Sequence, residues 1–264
     1  LHDALPISVY AVDSAGTEQW RTRTGGRASV TLPGGATGVG RRNRYALAGP
    51  DGVGQVAQPV AGGAVAPPAV VDGVVYVAGV DGTVAALAAA DGDERWAFTP
   101  AETMAGRADP AALQEAPASV SAPAVVGDTV YVGRDDAVYA LATADGSERW
   151  RFRTGGAVTA SPAVVGDTVY VGSGDDAVYA LATTDGSERW RFETGGAVDS
   201  SPAVVGDTVY VGSGDAVYAL AAADGSERWR FRTGVAGGSA PAVADGRVYV
   251  GRGDTVYALA EPGD

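Results

Sequence analysis

A period of about 40 residues governs this chain. The segment SPAVVGDTVYVGSGDDAVYALATTDGSERWRFETGG, residues 161–196, recurs nearly unchanged from Ser201, and a third close copy starts at Ser121. Trp150 and Trp190 stand 40 residues apart, and Trp190 and Trp229 stand 39 apart. Self-similarity at this spacing makes each copy one supersecondary unit that buries its apolar face against its neighbours. The 264 residues therefore read as one continuous array rather than two unrelated domains.

Each copy parses into four short strands. In the copy from Ser161 they are SPAVV, TVYVG, AVYALA and RWRFET, here called strands A to D. Gly166-Asp167 is a two-residue hairpin signal, and Asp185-Gly186 turns the chain between C and D. Val, Tyr, Trp, Phe and Thr dominate the runs, as a half-buried pleated surface prefers. Strand D alternates, with Trp190 and Phe192 on one side and Arg189, Arg191 and Glu193 on the other. Phe98, Phe152, Phe192 and Phe231 each follow a tryptophan by two places, which marks them as core. Four antiparallel strands per unit with no helix between units predict an all-β fold, a β-propeller of four-stranded blades.

The remainder of the chain sets the blade count. Val9 to Thr24 supplies a C and a D strand ending near Trp20. A degenerate blade follows, with Tyr45-Ala46-Leu47-Ala48 and Asp51-Gly52 in place and Val56 and Gln58 at the aromatic positions. The next blade runs from Pro68 to Phe98. Trp96 to Pro123 is then 27 residues, where later copies need 12, so an insertion lies within 99–118. It carries Met104, Asp109 and Leu113, and Asp109-Pro110 reads as the cap and first residue of a short helix. Three regular blades follow, and the last copy gives strands A to C only. Pairing its open edge with Thr17–Thr24 would complete a sheet and remove an exposed edge. About six blades are expected, the alternative being an arc of a seven- or eight-bladed ring. Residues 8–260 form the propeller, and 261–264 a tail. Residues 1–7 hold the only His and the only Ile, His2 and Ile7, and read as foreign sequence on a truncated start.

Composition narrows the function. The net charge is −13, and all 19 basic residues are arginine. Such a surface repels phosphate, so nucleic acid is not an expected partner. An acid-rich chain without lysine is expected of a halophile, since molar salt screens the self-repulsion. With no cysteine, disulfides and thiolate metal sites are excluded. No apolar run is long enough for a membrane span.

The segment Ala180-Leu-Ala-Thr-Thr-Asp-Gly186-Ser-Glu-Arg-Trp190 resembles the AxDxxxGxxxW tryptophan-docking motif of pyrroloquinoline-quinone (PQQ) repeats. The pattern returns at Ala140–Trp150 and Ala219–Trp229, more loosely at Ala86–Trp96, and one residue short at Ala11–Trp20. The resemblance covers nearly the whole chain and is closest to the non-catalytic BamB-like propellers. It implies that Trp20, Trp96, Trp150, Trp190 and Trp229 dock between blades against Gly-bearing turns, here Gly92, Gly146, Gly186 and Gly225. In quinoprotein dehydrogenases of the family a calcium site with Glu, Asn and Asp ligands holds the quinone. Asn43 is the only asparagine here, so no cofactor and no catalytic residue is carried over. PQQ with calcium remains the alternative.

Candidate sites cluster in the loops. The B–C loops, among them Gly133-Arg-Asp-Asp136 and Gly172-Ser-Gly-Asp-Asp176, open on the same propeller face as the D–A connections. Paired carboxylates such as Asp135/Asp136 and Asp175/Asp176 suit a hard cation, although turn geometry alone accounts for them. Arg134 and Arg252 break the Ser-Gly pattern and are candidate partner contacts, with Met104, Asp109 and Leu113 of the insertion. No nucleophile stands with a base. The expected function is a non-catalytic, monomeric, extracytoplasmic scaffold, secreted or lipid-anchored, that binds a protein or cell-surface partner. A quinone-dependent dehydrogenase and the sensor domain of a larger protein are the alternatives.

Overall fold

The computed structural model describes residues 7–12, 18–24, 66–79, 82–100, 119–234, 239–252 and 254–260. The chain packs as two units, Leu1–Val120 with Thr143–Ser147, and Ser121–Ala142 with Glu148–Asp264.

In the first unit β1 (Ile7–Val12) and β2 (Glu18–Thr24) form an antiparallel pair. A four-stranded antiparallel sheet follows, β3 (Ala69–Val71), β4 (Val74–Ala78), β5 (Val84–Ala88) and β6 (Glu94–Phe98), hydrogen-bonded in chain order.

The second unit repeats that sheet. Its first copy is β7 (Ala124–Val126), β8 (Thr129–Arg134), β9 (Ala137–Ala142) and β10 (Glu148–Arg153). The next is β11 (Ala163–Val165), β12 (Thr168–Gly172), β13 (Ala177–Ala182) and β14 (Glu188–Glu193). Then come β15 (Ala203–Val205), β16 (Thr208–Ser213), β17 (Ala216–Ala221) and β18 (Glu227–Arg232). A three-stranded sheet closes the series with β19 (Ala242–Ala244), β20 (Arg247–Arg252) and β21 (Thr255–Ala260). Every sheet is an up-and-down antiparallel meander, and no helix occurs among the described residues. These are the blades of a β-propeller.

Burial explains the strand chemistry. Strands B and C are buried along nearly their full length, as β8 and β9 are, so they read as continuous Val, Tyr and Ala runs. Strand D has one wet face, and its alternation survives: in β10 Trp150 is buried while Glu148, Arg149, Arg151 and Arg153 are exposed. The A–B hairpins use two related solutions. Gly127, Gly166 and Gly206 take φ near +60°, whereas in Asp72-Gly73 and Asp245-Gly246 both residues are left-handed. The latter is the type I′ pattern that Asp-Gly favours. Each C–D turn ends in a register shift just before the tryptophan.

The core lies between blades. One buried cluster joins Tyr131, Val138, Ala140 and Trp150 to Val169, Val171, Tyr179 and Leu181 of the following sheet. A second repeats the arrangement one blade on, from Tyr170 and Trp190 to Tyr218 and Leu220.

Ile7 belongs to β1 and pairs with Thr24, so the strand takes in the last residue of the segment read as foreign. Within the first unit β2 is hydrogen-bonded to β1, and within the second the last sheet has three strands, β19 to β21. The degenerate blade at 25–65 and the insertion from 101 to 118 lie outside the described residues.

Candidate functional site

The tryptophan motif sets the blade-to-blade geometry. Trp150 Nε1 donates to the Thr183 carbonyl at 2.8 Å, and Trp190 Nε1 to the Ala222 carbonyl at 2.9 Å. Within the first unit Trp96 Nε1 donates to the Thr143 carbonyl at 2.8 Å. In each case a glycine three residues beyond the acceptor lies against the indole. A Cβ on Gly146, Gly186 or Gly225 would come within 2.5–2.6 Å of Cε3 of Trp96, Trp150 or Trp190. These glycines have φ of +72° to +73°, so both backbone and space demand the missing side chain. Gly92 is likewise left-handed and buried. Tyr131, Tyr170 and Tyr210 lean on Trp150, Trp190 and Trp229 within their own blades, centroids 5.8–6.0 Å apart. Phe152, Phe192 and Phe231 reach the C-strand tyrosine of the next blade, Tyr179, Tyr218 and Tyr257.

Trp229 departs from this pattern. Its Nε1 is buried and, among the described residues, has no hydrogen-bond partner. Trp20 lies in β2.

The loops of one face interlock. The connection after β10 spans two blades: Val158 N–H donates to the Asp135 carbonyl at 2.7 Å, and Gly174 N–H to the Ala157 carbonyl at 2.8 Å. Thr154 Oγ1 donates to the Asp136 carbonyl, as Thr194 Oγ1 does to Asp176 and Thr233 Oγ1 to Asp215. Packing is tight enough that a Cβ on Gly156 would lie 2.4 Å from Asp175 N, and one on Gly133 2.4 Å from Val158 Cγ1. Ser173 and Ser213, at the ends of strand B, reach back to the Gly156 and Gly196 carbonyls.

Asp175 is the extra residue of the longest described B–C loop. Its Oδ2 accepts from Tyr179 Oη at 2.6 Å and from Gly155 N–H at 2.6 Å. Burial pushes its carboxyl up, but the hydrogen bonds from Tyr179, Gly155 and Ser173 outweigh it, and the pKa settles below the usual range. Burial and then the Asp175 hydrogen bond push the Tyr179 hydroxyl up to about 12. Sequence reasoning paired Asp175 with Asp176 and missed this inward contact. Its one signal is the added loop residue four places before the C-strand tyrosine.

The candidate arginines turn inward. Arg252 is 2% exposed and donates through Nη1 to the Gly214 carbonyl at 2.6 Å and through Nη2 to the Ala216 carbonyl at 2.7 Å. Burial lowers its pKa, opposed by the Asp215 carboxylate. Arg134 is buried beside Asp135, Nη2 to Oδ2 at 3.5 Å. Arg252 thus reaches the B–C loop of the preceding blade, and Arg134 lies against its neighbour in its own loop. Met104, Asp109 and Leu113 lie outside the described residues. On the outer strands Arg149, Arg189 and Arg228 fork onto Asp128, Asp167 and Asp207 of the A–B hairpins. That hydrogen bonding holds the three carboxyls below their usual range.

A family model described as outer membrane protein assembly factor BamB matches residues 7–133, 106–216 and 177–263. The chain belongs to this BamB-type family of PQQ repeats. No curated protein sequence matches it. Among solved structures, a computationally designed protein is 18% identical with a TM-score of 0.62, covering 74% of this chain and 58% of its own. The quinohemoprotein alcohol dehydrogenase ADHIIG of Pseudomonas putida HK5 is 23% identical with a TM-score of 0.55, covering 71% and 38%. BamB of Moraxella catarrhalis is 20% identical with a TM-score of 0.47, covering 72% and 71%. The chain thus spans little more than half of the designed protein and well under half of the dehydrogenase.

Among the described residues of this BamB-type chain, the B–C loop carboxylates offer no ready set of ligands for a calcium-held quinone. Calcium takes six to eight oxygen ligands. Asp136 is engaged by Arg153 at 2.9 Å, Asp175 by Tyr179 and Gly155, and Asp135 and Asp176 hold left-handed turns. Among the described residues no three His, Cys, Asp or Glu side chains gather as a metal site.

Proposed function

We propose that this chain is a non-catalytic, extracytoplasmic propeller that holds a protein or cell-surface partner on its loop-bearing face. The observation that carries this reading is the interlocking of the D–A connections with the B–C loops, down to glycines that admit no Cβ. A face already rigid before contact loses little conformational entropy on binding. The description of the matching family model, an assembly factor, supports the same reading. No helix of the described residues is long and apolar enough to cross a membrane. The insertion at 99–118, with Met104, Asp109 and Leu113, is the non-repeating feature and the candidate contact.

Deleting residues 99–118 should reduce retention of a surface-protein fraction on the immobilised chain while the melting temperature stays nearly constant. Equal retention would reject the insertion as contact. The dehydrogenase reading is tested by adding PQQ and calcium: a stoichiometric cofactor absorbance band would replace the scaffold reading.

A further inference from the structure

Asp-Gly pairs recur along this chain, and their surroundings divide them into two chemical classes. Among the described residues Asp72, Asp91, Asp145, Asp185, Asp224 and Asp245 are each followed by glycine. Such a pair is open to a reaction of its own. The glycine nitrogen attacks the aspartyl Cγ, the carboxyl hydroxyl departs with the amide proton as water, and a five-membered succinimide ring closes. Water then opens the ring at either carbonyl, which returns aspartate or leaves isoaspartate, whose main chain runs through the side-chain methylene. Water is the one reagent consumed, and glycine favours the attack because no side chain shields its nitrogen.

The four pairs in the C–D turns are held against this motion. The N–H groups of Gly92, Gly186 and Gly225 donate to the Ala88, Ala182 and Ala221 carbonyls at 2.8–2.9 Å. Oδ1 of Asp91, Asp145, Asp185 and Asp224 accepts from the N–H two residues on, at 2.9–3.1 Å. Ser187 and Ser226 add a hydroxyl to the same oxygen at 2.7 Å. These bonds must break before Cγ meets the glycine nitrogen. They also hold the Asp185 and Asp224 carboxyls below their usual range, as the carboxylate that leaves least readily.

Asp72-Gly73 and Asp245-Gly246 have no such ties. They are the exposed tips of A–B hairpins. Val71 pairs with Val74 and Ala244 with Arg247, so the closing bonds belong to the flanking residues. Among the described residues no hydrogen bond engages the Gly73 or Gly246 N–H or either carboxylate. Both aspartates already stand at φ near +50°, a left-handed conformation whose cost the opening of the turn relieves. The other three A–B hairpins reverse the order. There Asp128, Asp167 and Asp207 follow the glycine, precede a β-branched threonine and are forked by arginine.

We propose that Asp72 and Asp245 are, among the described residues, the sites at which this protein modifies itself, passing through a succinimide to isoaspartate while the tryptophan-docking turns stay intact. The product lengthens the hairpin main chain by one methylene. These tips lie at the other end of strand B from the B–C loops, so the inference goes beyond the function proposed above.

The test keeps the whole chain in warm, neutral heavy-oxygen water and reads each aspartate by peptide fragmentation. Every passage through the ring leaves one heavy oxygen at that residue. Label should accumulate at Asp72 and Asp245 at least about tenfold faster than at Asp91, Asp185 or Asp224, where two or more hydrogen bonds must first break. In urea all of these pairs should label at similar rates, which ties the difference to the fold. Exchanging the hairpin residues, Asp245→Gly with Gly246→Asp, gives the order of Gly206-Asp207 and should abolish label in that hairpin. An isoaspartyl-specific carboxyl methyltransferase supplied with S-adenosylmethionine should methylate the aged chain at residues 72 and 245. Equal labelling of all the pairs in the folded chain overturns the proposal, as does label that appears first in a C–D turn. So does a folded chain in which Asp72 and Asp245 stay unlabelled while the unfolded chain takes up label.

Discussion

Gly186 lies against Trp150 so closely that a Cβ would stand 2.5 Å from Cε3 of the indole, at a backbone φ of +72°. The motif's glycine and tryptophan, 36 residues apart in the chain, form one contact between two blades.

Gly186→Ala should therefore destabilise by about 2–4 kcal/mol, the sum of overpacking and a left-handed backbone. Gly166→Ala is the control, with φ of +60° and nothing within 4 Å, and should cost only about 1–2 kcal/mol. Urea unfolding of both variants checks the ordering, and equal midpoints would mean that the indole contact contributes nothing.

Removing an indole N–H should matter in one blade and not in another. Trp190→Phe removes the shorter of two hydrogen bonds to the Ala222 carbonyl, the other coming from Tyr170 Oη at 3.3 Å, and also shrinks the core, with an expected loss of about 2–4 kcal/mol. Trp229→Phe removes an N–H that has no acceptor among the described residues and should cost at least about 1 kcal/mol less. Thermal melts of the two variants decide it.

The Asp175–Tyr179 contact makes stability depend on pH at both ends. Asp175 has its pKa lowered in the folded chain, so its contribution is present above the ordinary carboxylate pKa and is lost as pH falls through the lowered value. Tyr179, pushed up to about 12, contributes stability that is full below pH 10 and fades as pH rises from 10 towards about 12. In Tyr179→Phe the alkaline fall in unfolding free energy should be shallower than in the parent, and ultraviolet titration should lose one late-titrating tyrosinate.

Salt should raise stability. At −13 the net charge works against the compact state in dilute buffer, and molar salt shortens the Debye length to about 3 Å. The melting temperature should climb between 0.1 M and 2 M potassium chloride. A flat or falling profile would reject the halophile expectation.

Most of the architecture was legible in the sequence because each blade has the same problem to solve. The GDTVYVG and AVYALA runs are apolar throughout since strands B and C are covered on both faces, whereas ERWRFR alternates since strand D has one wet side. The Asp-Gly turn before Trp96, Trp150, Trp190 and Trp229 announced the docking glycine. The loop residues were less legible. Arg252 reads as a surface cation in a Gly-Arg-Gly-Asp loop, yet the end of strand B points its guanidinium at backbone carbonyls of the preceding blade. Asp175 reads as half of a carboxylate pair, yet its partners are Tyr179 and Gly155, the latter 20 residues away.

What the sequence by itself determined is the repeating unit, because strand period, turn chemistry and tryptophan spacing are local or recur at a constant interval. Only the tertiary structure decided which neighbour each unit meets. Trp229 Nε1 has the same sequence context as Trp190 Nε1, yet among the described residues only Trp190 Nε1 meets an acceptor, the Ala222 carbonyl of the adjacent blade.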